Sequence, residues 1–115
     1  MIDFACRQFD LDDIIKCGLG LTKAGYKVMT YFLSKPDSSL TTESISKSVN
    51  LNLSTVQKAV KRLSDQNIII KHQKNLSSGG YVFIYSLNSR KGIKEILKKI
   101  IRNWAERVEQ QIDIW

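Results

Sequence analysis

With 115 residues, the chain is long enough for one domain with its own core and too short for two. Hydrophobic residues make up 43% of it and charged residues 25%, and these proportions exclude a wholly disordered chain. The net charge is +7, and where that charge lies says more than its total.

Positive charge is concentrated in one segment of the chain. Residues 54–102 contain eleven Lys and Arg against two acidic residues, a net charge of +9, whereas residues 1–53 are balanced and residues 103–115 carry −2. A segment of this kind is typical of a surface that faces a polyanion such as nucleic acid. A solvated basic face with no such partner is the alternative.

Few residues of the chain can bind a metal. Cys6, Cys17 and His72 cannot together complete a four-ligand zinc site, and we expect neither a metal nor a cofactor. The acidic N-terminal segment does not have the order of a signal peptide, and no apolar run approaches the ~20 residues that span a membrane. We therefore expect a cytoplasmic protein without a membrane partner, with both thiols reduced and buried. A redox role for the thiols is the less favoured alternative.

Helical periodicity predicts three helices in the N-terminal half of the chain. The first begins near Asp10 and ends at Gly20, because aspartate favours helix starts and glycine favours helix ends. The second begins at Thr22 and ends before Pro36. The third is short and covers Thr42–Ser48.

A fourth helix, over residues 54–66, follows a tight turn at residues 50–53. Ser54 is expected to cap it, and Gln57 three residues later would complete a capping box. The apolar stripe of this helix is formed by Val56, Ala59, Val60 and Leu63. We expect that stripe to face the core and the polar residues between its members to face outward.

After residue 67 the apolar pattern changes from helical to strand spacing. The segments Ile68–Gln73 and Tyr81–Leu87 are rich in β-branched and aromatic residues and predict two strands. The turn-forming segment Asn75–Gly80 lies between them, so the strands are expected to form a β-hairpin. From Arg90 the helical spacing returns and predicts a long terminal helix.

Together these elements predict a mainly α fold with a small β-hairpin, of the α+β class. We expect a winged helix-turn-helix domain at residues 1–91, with N- and C-terminal dimerisation helices, the latter at residues 92–115. In such a unit the second helix of the pair lies in the major groove of double-stranded DNA. Here that recognition helix is residues 54–66, and the hairpin at residues 71–81, the wing, is expected to contact the backbone or the minor groove.

The candidate DNA contacts are the polar and basic side chains of this unit. Gln57 is suited to pair with adenine, and Lys58 is suited to guanine or phosphate. The expected contact residues are Thr42, Ser54, Thr55, Gln57, Lys58, Lys61, Arg62, Lys71, Lys74, Ser77 and Ser78. For the wing, a hairpin that merely covers the core is the simpler alternative.

Two runs of sequence carry a resemblance to a known family. The run GLGLTKAGYKVMTYFL, followed by TTESISKSVNLNLSTVQKAVKRLSDQNIII, resembles the winged-helix domain of TrmB-like archaeal transcriptional regulators and, more loosely, the MarR family. The resemblance covers about residues 18–87 and implies a DNA-binding regulator. Gly25 stands where that family has an acidic residue, and Asn67 where it has a glycine, although asparagine can adopt the same left-handed conformation. Larger TrmB-like members carry a sugar-binding domain after the winged helix, and we expect none here.

The predicted terminal helix has an apolar stripe too long for one small domain to bury. Its members recur every three or four residues and are Ile93, Leu97, Ile100, Trp104, Val108 and Ile112. We expect a second copy of the chain to cover this stripe, which would give a two-fold homodimer. Packing of the stripe against its own domain, or on a membrane surface, are the alternatives.

The sequence as a whole predicts a sequence-specific regulator of transcription that binds double-stranded DNA as a homodimer. A winged-helix protein-interaction module is the alternative, although such a module has no need for three cations on residues 54–62. An enzyme is not expected, because no nucleophile–base pair, phosphate loop or metal set is recognisable. A reader of double-stranded RNA is disfavoured because a helix cannot enter the narrow major groove of RNA. No small-molecule effector can be named from the sequence.

Overall fold

The computed structural model describes residues 1–115, and its elements are those of a winged helix-turn-helix protein of the α+β class. The helices are α1 (Leu11–Leu19), α2 (Lys23–Leu33), α3 (Thr42–Val49), α4 (Leu53–Asp65) and α5 (Arg90–Asp113). The strands are β1 (Ile2–Phe4), β2 (Arg7–Phe9), β3 (Ser39–Leu40), β4 (Ile69–Asn75) and β5 (Tyr81–Leu87). The predicted fold class is therefore confirmed, with α3 and α4 as the helix-turn-helix and β4–β5 as the wing.

Several predicted helix boundaries are confirmed by the caps that set them. Gly20 ends α1 in the left-handed conformation, with φ 64°. The hydroxyl of Thr22 accepts a hydrogen bond from the backbone N–H of Gly25 at 3.0 Å and so starts α2. At the start of α3, Thr41 and Ser44 exchange side-chain and backbone hydrogen bonds in a reciprocal box.

The start of α4 differs from the prediction. Asn52 is the cap: its Oδ1 accepts hydrogen bonds from the backbone N–H of Thr55 at 2.8 Å and from the hydroxyl of Ser54 at 2.9 Å. The expected capping box of Ser54 and Gln57 is therefore wrong. The physical reason is that the asparagine carboxamide, like a serine hydroxyl, can reach the backbone N–H three residues on, and the turn gives Asn52 the extended backbone of a cap, with φ −69° and ψ 156°. Ser54 then lies inside the first turn.

Two asparagines occupy backbone positions that favour glycine. Asn50 ends α3 with φ 56°, and Asn67 lies between α4 and β4 with φ 62°. The conformation expected for Asn67 is thus confirmed. Its carbonyl oxygen accepts a hydrogen bond from Nδ2 of Asn88 at 2.9 Å, which ties the start of the wing to the segment before α5.

The wing belongs to a three-stranded antiparallel sheet in the order β3-β5-β4. The strands β4 and β5 pair from Ile69 opposite Leu87 to Asn75 opposite Tyr81. The strand β3 adds only two residues at the edge, with Leu40 opposite Tyr85. Sequence patterns did not predict β3, because two residues are too few to show an alternation.

The core lies between α2, α3, α4 and the base of the sheet. Its buried side chains are Leu19, Val28, Met29, Phe32, Ile45, Val49, Val56, Ala59, Val60, Leu63, Ile68, Ile69 and Ile93. The predicted apolar stripe of α4 is entirely among them, so α4 is held by one face and presents the opposite face to solvent.

The first nine residues form a hairpin that sequence analysis did not predict. The strands β1 and β2 pair from Ile2 opposite Phe9, and Ala5 takes a φ of 49° in the turn between them. Cys6 lies in this turn and Cys17 lies on α1, and both are exposed. The expectation of buried thiols is therefore wrong, because β1 and β2 add no layer to the core and α1 contributes only Leu19 to its fully buried part.

The helix α5 is attached to the domain by its first half only. Ile93 is buried, and Leu97 and Ile100 are half-buried against the core. A Cβ on Gly18 of α1 would lie 3.3 Å from Cγ2 of Ile100, so the glycine permits close packing of α1 on α5. The second half of α5 extends away from the domain, and the molecule is accordingly 62 Å long and 25 Å across.

Two further features bear on function. None of the helices combines the length and the apolar composition that crossing a bilayer requires. No group of three or more His, Cys, Asp and Glu side chains is placed so that it could hold a metal ion.

Candidate nucleic-acid interface

The face of α4 opposite the core carries basic and polar side chains. With about 3.6 residues per turn, Ser54, Lys58 and Lys61 project on the side away from the buried stripe. All three are exposed. This helix therefore presents a polar, cationic surface that is not required for packing.

Beside this face, an open cleft separates α4 from the base of the wing. Its volume is about 320 Å³, and its lining residues are Thr42, Gln57, Lys61, Ser64, Asp65, Lys71 and Tyr85. They come from α3, α4, β4 and β5, so the cleft is built by every part of the winged helix-turn-helix unit. Four predicted DNA contacts, one of them on α3, two on α4 and one on the wing, thus lie together.

Asp65 is the one acidic residue of the cleft. Its Oδ2 lies 3.3 Å from Nζ of Lys61, and both side chains are largely exposed. An exposed pair one helical turn apart contributes little to stability. Its consequence is electrostatic, because the carboxylate of Asp65 offsets the positive charge of Lys61, one of the two lysines that line the cleft.

Tyr85 forms part of the cleft wall and is half-buried. Burial raises the pKa of its phenol above the ordinary value of 10.0. The hydroxyl therefore stays protonated at neutral pH and is available as a hydrogen-bond donor to an anion in the cleft.

The wing divides its residues between two faces, because side chains alternate along a strand. Lys71 pairs with Tyr85 and Gln73 with Phe83, on the same face as the buried Ile69, which is the face toward α4. Lys74 pairs with Val82 on the opposite face. The two lysines predicted to contact DNA through the wing therefore lie on different sides of it.

Two aromatic side chains extend the α4-facing side of the wing. The rings of Tyr81 and Phe83 meet edge to face, with centroids 5.2 Å apart. Nζ of Lys71 lies 3.9 Å from the centroid of Phe83, a cation–π contact worth about 0.5–1 kcal/mol at an exposed site. Sequence analysis assigned these aromatics to a strand and gave them no role, although their spacing of two residues already placed them on one face.

Arg62 does not line the cleft. Its Nε donates a hydrogen bond to the carbonyl oxygen of Leu19 at 3.0 Å, and its guanidinium thereby contacts the C-terminal end of α1. A Cβ on Gly20 would lie 2.5 Å from Nη2 of Arg62, so the glycine makes room for this contact. On the helix, Arg62 projects well away from Gln57. The side chain is placed to join two helices.

The remaining predicted contacts lie at the two ends of the unit. Thr55 is half-buried at the start of α4, where its backbone N–H is bound by the cap Asn52. Ser77 and Ser78 are exposed in the turn at the tip of the wing, which is closed by Gly79 and Gly80 at positive φ. By the rise of a strand, the far end of β4 is about 13 Å beyond Lys71. The serines therefore stand apart from the cleft.

The fold recurs in solved structures. The structure of a "possible transcriptional regulator" from Methanosarcina mazei Go1 matches with a TM-score of 0.91 and 47% sequence identity, over 100% of this chain and 96% of that one. The ST1889 protein of Sulfolobus tokodaii matches with a TM-score of 0.66 and 17% identity, over 84% and 92% of the two chains. A mutant of MepR from S. aureus, bound to an oligodeoxyribonucleotide, matches with a TM-score of 0.56 and 17% identity, over 89% and 70%. At such low identity, the latter two show the fold alone.

Sequence comparison gives a relative of similar length and a family. The uncharacterized protein MJ1503 of Methanocaldococcus jannaschii is 26% identical over 108 residues, which are 94% of this chain and 80% of that protein. The family model that matches, over residues 9–111, describes the DnaD N-terminal domain. The winged-helix part of the expected resemblance is thus confirmed, whereas the TrmB-like or MarR-like type is not what the family model describes. The chain belongs to the DnaD N-terminal domain family.

Proposed function

We propose that this protein is a transcriptional regulator that binds double-stranded DNA as a homodimer, in a sequence-specific manner and without enzymatic activity, in the cytoplasm. The recognition helix α4 would lie in the major groove, and the wing at residues 71–81 would follow the backbone or the minor groove. The observation that carries the proposal is the cleft between α4 and the wing. The relative from Methanosarcina mazei, described as a possible transcriptional regulator, supports it.

The dimensions of α4 and of the cleft suit a DNA duplex. The helix α4 has 13 residues and is about 20 Å long. An α-helix with its side chains is about 10–12 Å in diameter, which fits a major groove about 12 Å wide. The phosphate strand at the edge of that groove would then enter the cleft. There it would meet Lys71, the hydroxyl of Tyr85, and Thr42 at the start of α3, a position where the helix dipole favours an anion.

We assign base contacts to Gln57 and Lys58 of α4, and backbone contacts to the wing and to the other residues that line the cleft. Gln57 and Lys58 are exposed in the first two turns of α4 and carry the hydrogen-bonding groups that distinguish base edges. Lys71, Lys74 and the serines of the wing tip would contact phosphates, which bind without regard to sequence. Arg62 would act indirectly, by orienting α4 through its bond to Leu19.

The proposed dimer uses the terminal helix, residues 92–115. Trp104 and Ile112 are 62% and 61% exposed on α5, and together they lie on one side of a helix that no other element covers. An apolar groove of about 340 Å³ between α1 and α5 continues this side, and Leu11 and Ile101 on its rim are themselves exposed. A second copy placed there by two-fold symmetry would bury both features.

The same exposed helix favours a second candidate function, a protein-interaction module. In that case α5 would bind a different protein, and the cationic face of α4 would be a solvated surface. The two functions differ in one property, which is affinity for duplex DNA at physiological salt.

The test is selection of duplexes from a random library by the purified protein, followed by anisotropy titration of the enriched sequence at several salt concentrations. We expect an enriched site bound in the nanomolar range, and a log–log salt slope near −5 if about six phosphates are neutralised. A variant with Lys58→Glu and Lys71→Glu should lose this binding, whereas Asp3→Asn, in the N-terminal hairpin, should keep it. Failure to enrich any duplex, or a flat salt response, would exclude the DNA-binding function.

A further inference from the structure

The face of the wing toward α4 carries aromatic side chains that the core does not use. Tyr81 is 57% exposed and Phe83 is 37% exposed, at the outer end of a hairpin in which Ile69 is buried and Tyr85 is half-buried. Exposed aromatic rings on one face of a strand are costly in water unless they serve a contact. Within the chain the two rings contact each other and the ammonium group of Lys71, and more than a third of each residue stays open to a ligand.

We propose that Tyr81 and Phe83 form a stacking site for unpaired DNA bases. The protein would then bind a duplex that contains a short unpaired segment beside the recognition helix more tightly than the same duplex when continuous. This inference rests on the proposed function. It adds a preference for DNA with unpaired bases over fully paired DNA, which is separate from any preference for sequence.

Charge around the pair favours nucleic acid over an apolar partner. Lys71 lies directly over Phe83, and Lys61 lines the cleft that leads to it. Aromatic rings combined with a cationic surface are the usual means by which proteins bind unpaired strands, because every base has a face that can stack.

The spacing of the two rings also suits an extended strand. The ring centroids of Tyr81 and Phe83 are 5.2 Å apart, which is more than the 3.4 Å rise of stacked bases in a duplex. A strand that has lost its pairing can extend to that spacing and place one base against each ring. Continuous duplex cannot do so, because its bases are stacked on each other.

Lys71 is placed to couple base stacking on Phe83 to phosphate binding. Its ammonium group now lies over the ring of Phe83, at the edge of the cleft. A base that stacks on Phe83 would displace the ammonium, which can then pair with the phosphate of the same nucleotide. The cation–π contact therefore covers this face of the ring until a base takes the place of the ammonium group.

The experiment compares three labelled probes of one sequence: a continuous duplex three helical turns long, the same duplex with three mismatched pairs at its centre, and the single strand. Binding of the full chain is measured by anisotropy. A 2-aminopurine in the mismatched segment reports stacking by loss of its emission. We expect the wild type to bind the mismatched duplex about tenfold tighter than the continuous one.

Three variants separate stacking from other effects. Tyr81→Ala combined with Phe83→Ala should abolish the preference and the loss of emission, and should leave affinity for continuous duplex within about threefold. Phe83→Leu keeps an apolar side chain and should weaken the preference alone. Val82→Ala, on the opposite face of the same strand, should keep it, and thermal unfolding of each variant checks that it is folded.

The other possible outcomes distinguish failure of the stacking site from failure of the proposed function. Equal binding of both duplexes by the wild type would overturn the stacking site and leave the proposed function standing. The same holds if the aromatic variants weaken both duplexes alike, or if only Val82→Ala removes the preference. An occupant that is a protein would give the first of these results. Failure to bind any of the three probes would instead overturn the proposed function.

Discussion

Nε of Arg62 on α4 donates a hydrogen bond to the carbonyl oxygen of Leu19 at 3.0 Å, and this bond fastens the candidate recognition helix to the end of α1. The carbonyl groups at a helix C-terminus lack hydrogen-bond donors and carry partial negative charge. The guanidinium therefore stabilises this end of α1 both by donating a hydrogen bond and by its positive charge. Because α1 packs on α5 through Gly18 and Ile100, the bond also links α4 to the candidate dimer helix.

Removal of this bond should cost stability. We expect Arg62→Met to lower the free energy of unfolding by about 1 kcal/mol, since the buried carbonyl of Leu19 loses its donor while the apolar stem is kept. Lys58→Met is the matched control, because Lys58 is exposed on the outer face of α4 and should change stability little. Urea unfolding measures both, and equal losses for the two variants would show that the bond is not stabilising.

Asp65 should limit affinity for DNA. Replacing it with Asn removes a negative charge from the cleft and frees Lys61, which now lies 3.3 Å from the carboxylate. We expect Asp65→Asn to tighten DNA binding severalfold at low salt, with the gain shrinking as added salt screens the charge. Asp3→Asn makes the same charge change in the N-terminal hairpin and should have a smaller effect. If the two variants behave alike, the cleft does not hold a phosphate.

Side chains on α4 and on the wing should differ in how they affect sequence preference. Gln57→Ala should cost about 1–3 kcal/mol on the preferred site and little on random DNA. Lys71→Ala should weaken both by a similar factor, and more than Lys74→Ala, since only Lys71 lines the cleft. Competition titrations with specific and random duplexes give these numbers. Identical behaviour of the Gln57 and Lys71 variants would contradict the assignment of base and backbone contacts.

Sequence patterns sufficed to locate the helix-turn-helix and the wing because each has a strong periodic signal. The stripe from Val56 to Leu63 repeats at helical spacing, and Ile69 to Asn75 changes to strand spacing, so the element types and their order could be read. The left-handed Asn67 was likewise predictable from residue type. Features of this kind depend on residues that are neighbours in the chain, so they can be predicted from the sequence.

What sequence analysis missed depends on contacts between distant residues or on competition between near ones. The bond of Arg62 to Leu19 joins residues 43 positions apart, and nothing local distinguishes Arg62 from Lys61. Asn52 and Ser54 are both good caps two residues apart, and only the path of the turn selects Asn52. The composition of the cleft, with Thr42 beside Lys71, follows from packing and could not be read from spacing.

Alkaline pH should destabilise the fold through two half-buried tyrosines, Tyr26 and Tyr85. Burial raises the pKa of Tyr85, and burial followed by the nearby Asp12 raises the pKa of Tyr26. Unfolded tyrosine ionises near pH 10, so above that pH the unfolded chain loses protons that the folded chain still holds. Stability should therefore be constant up to about pH 9 and fall as pH rises through 10 and beyond. Tyr85→Phe should reduce this fall in urea titrations, and Tyr81→Phe, at an exposed position, should not.

The terminal helix should determine the oligomeric state, and with it the form of the DNA site. Trp104 and Ile112 are exposed on the projecting half of α5, whereas Leu97 is half-buried against its own domain. A variant with Trp104→Asp and Ile112→Asp should therefore be monomeric in sedimentation analysis and still folded, because neither side chain is part of the core.

Two-fold pairing would place the two copies of α4 about 34 Å apart, one turn of DNA, so the wild type should prefer an inverted repeat with half-sites about 10 base pairs apart. The variant should bind such a repeat no better than a single half-site, and should bind the half-site as well as the wild type does. A matched change on the basic side of α5, Lys99→Gln, should leave the dimer intact. Sedimentation of the wild type as a monomer at tens of micromolar would rule out both the dimer and the inverted repeat, because the exposed stripe would then have no second copy to cover it.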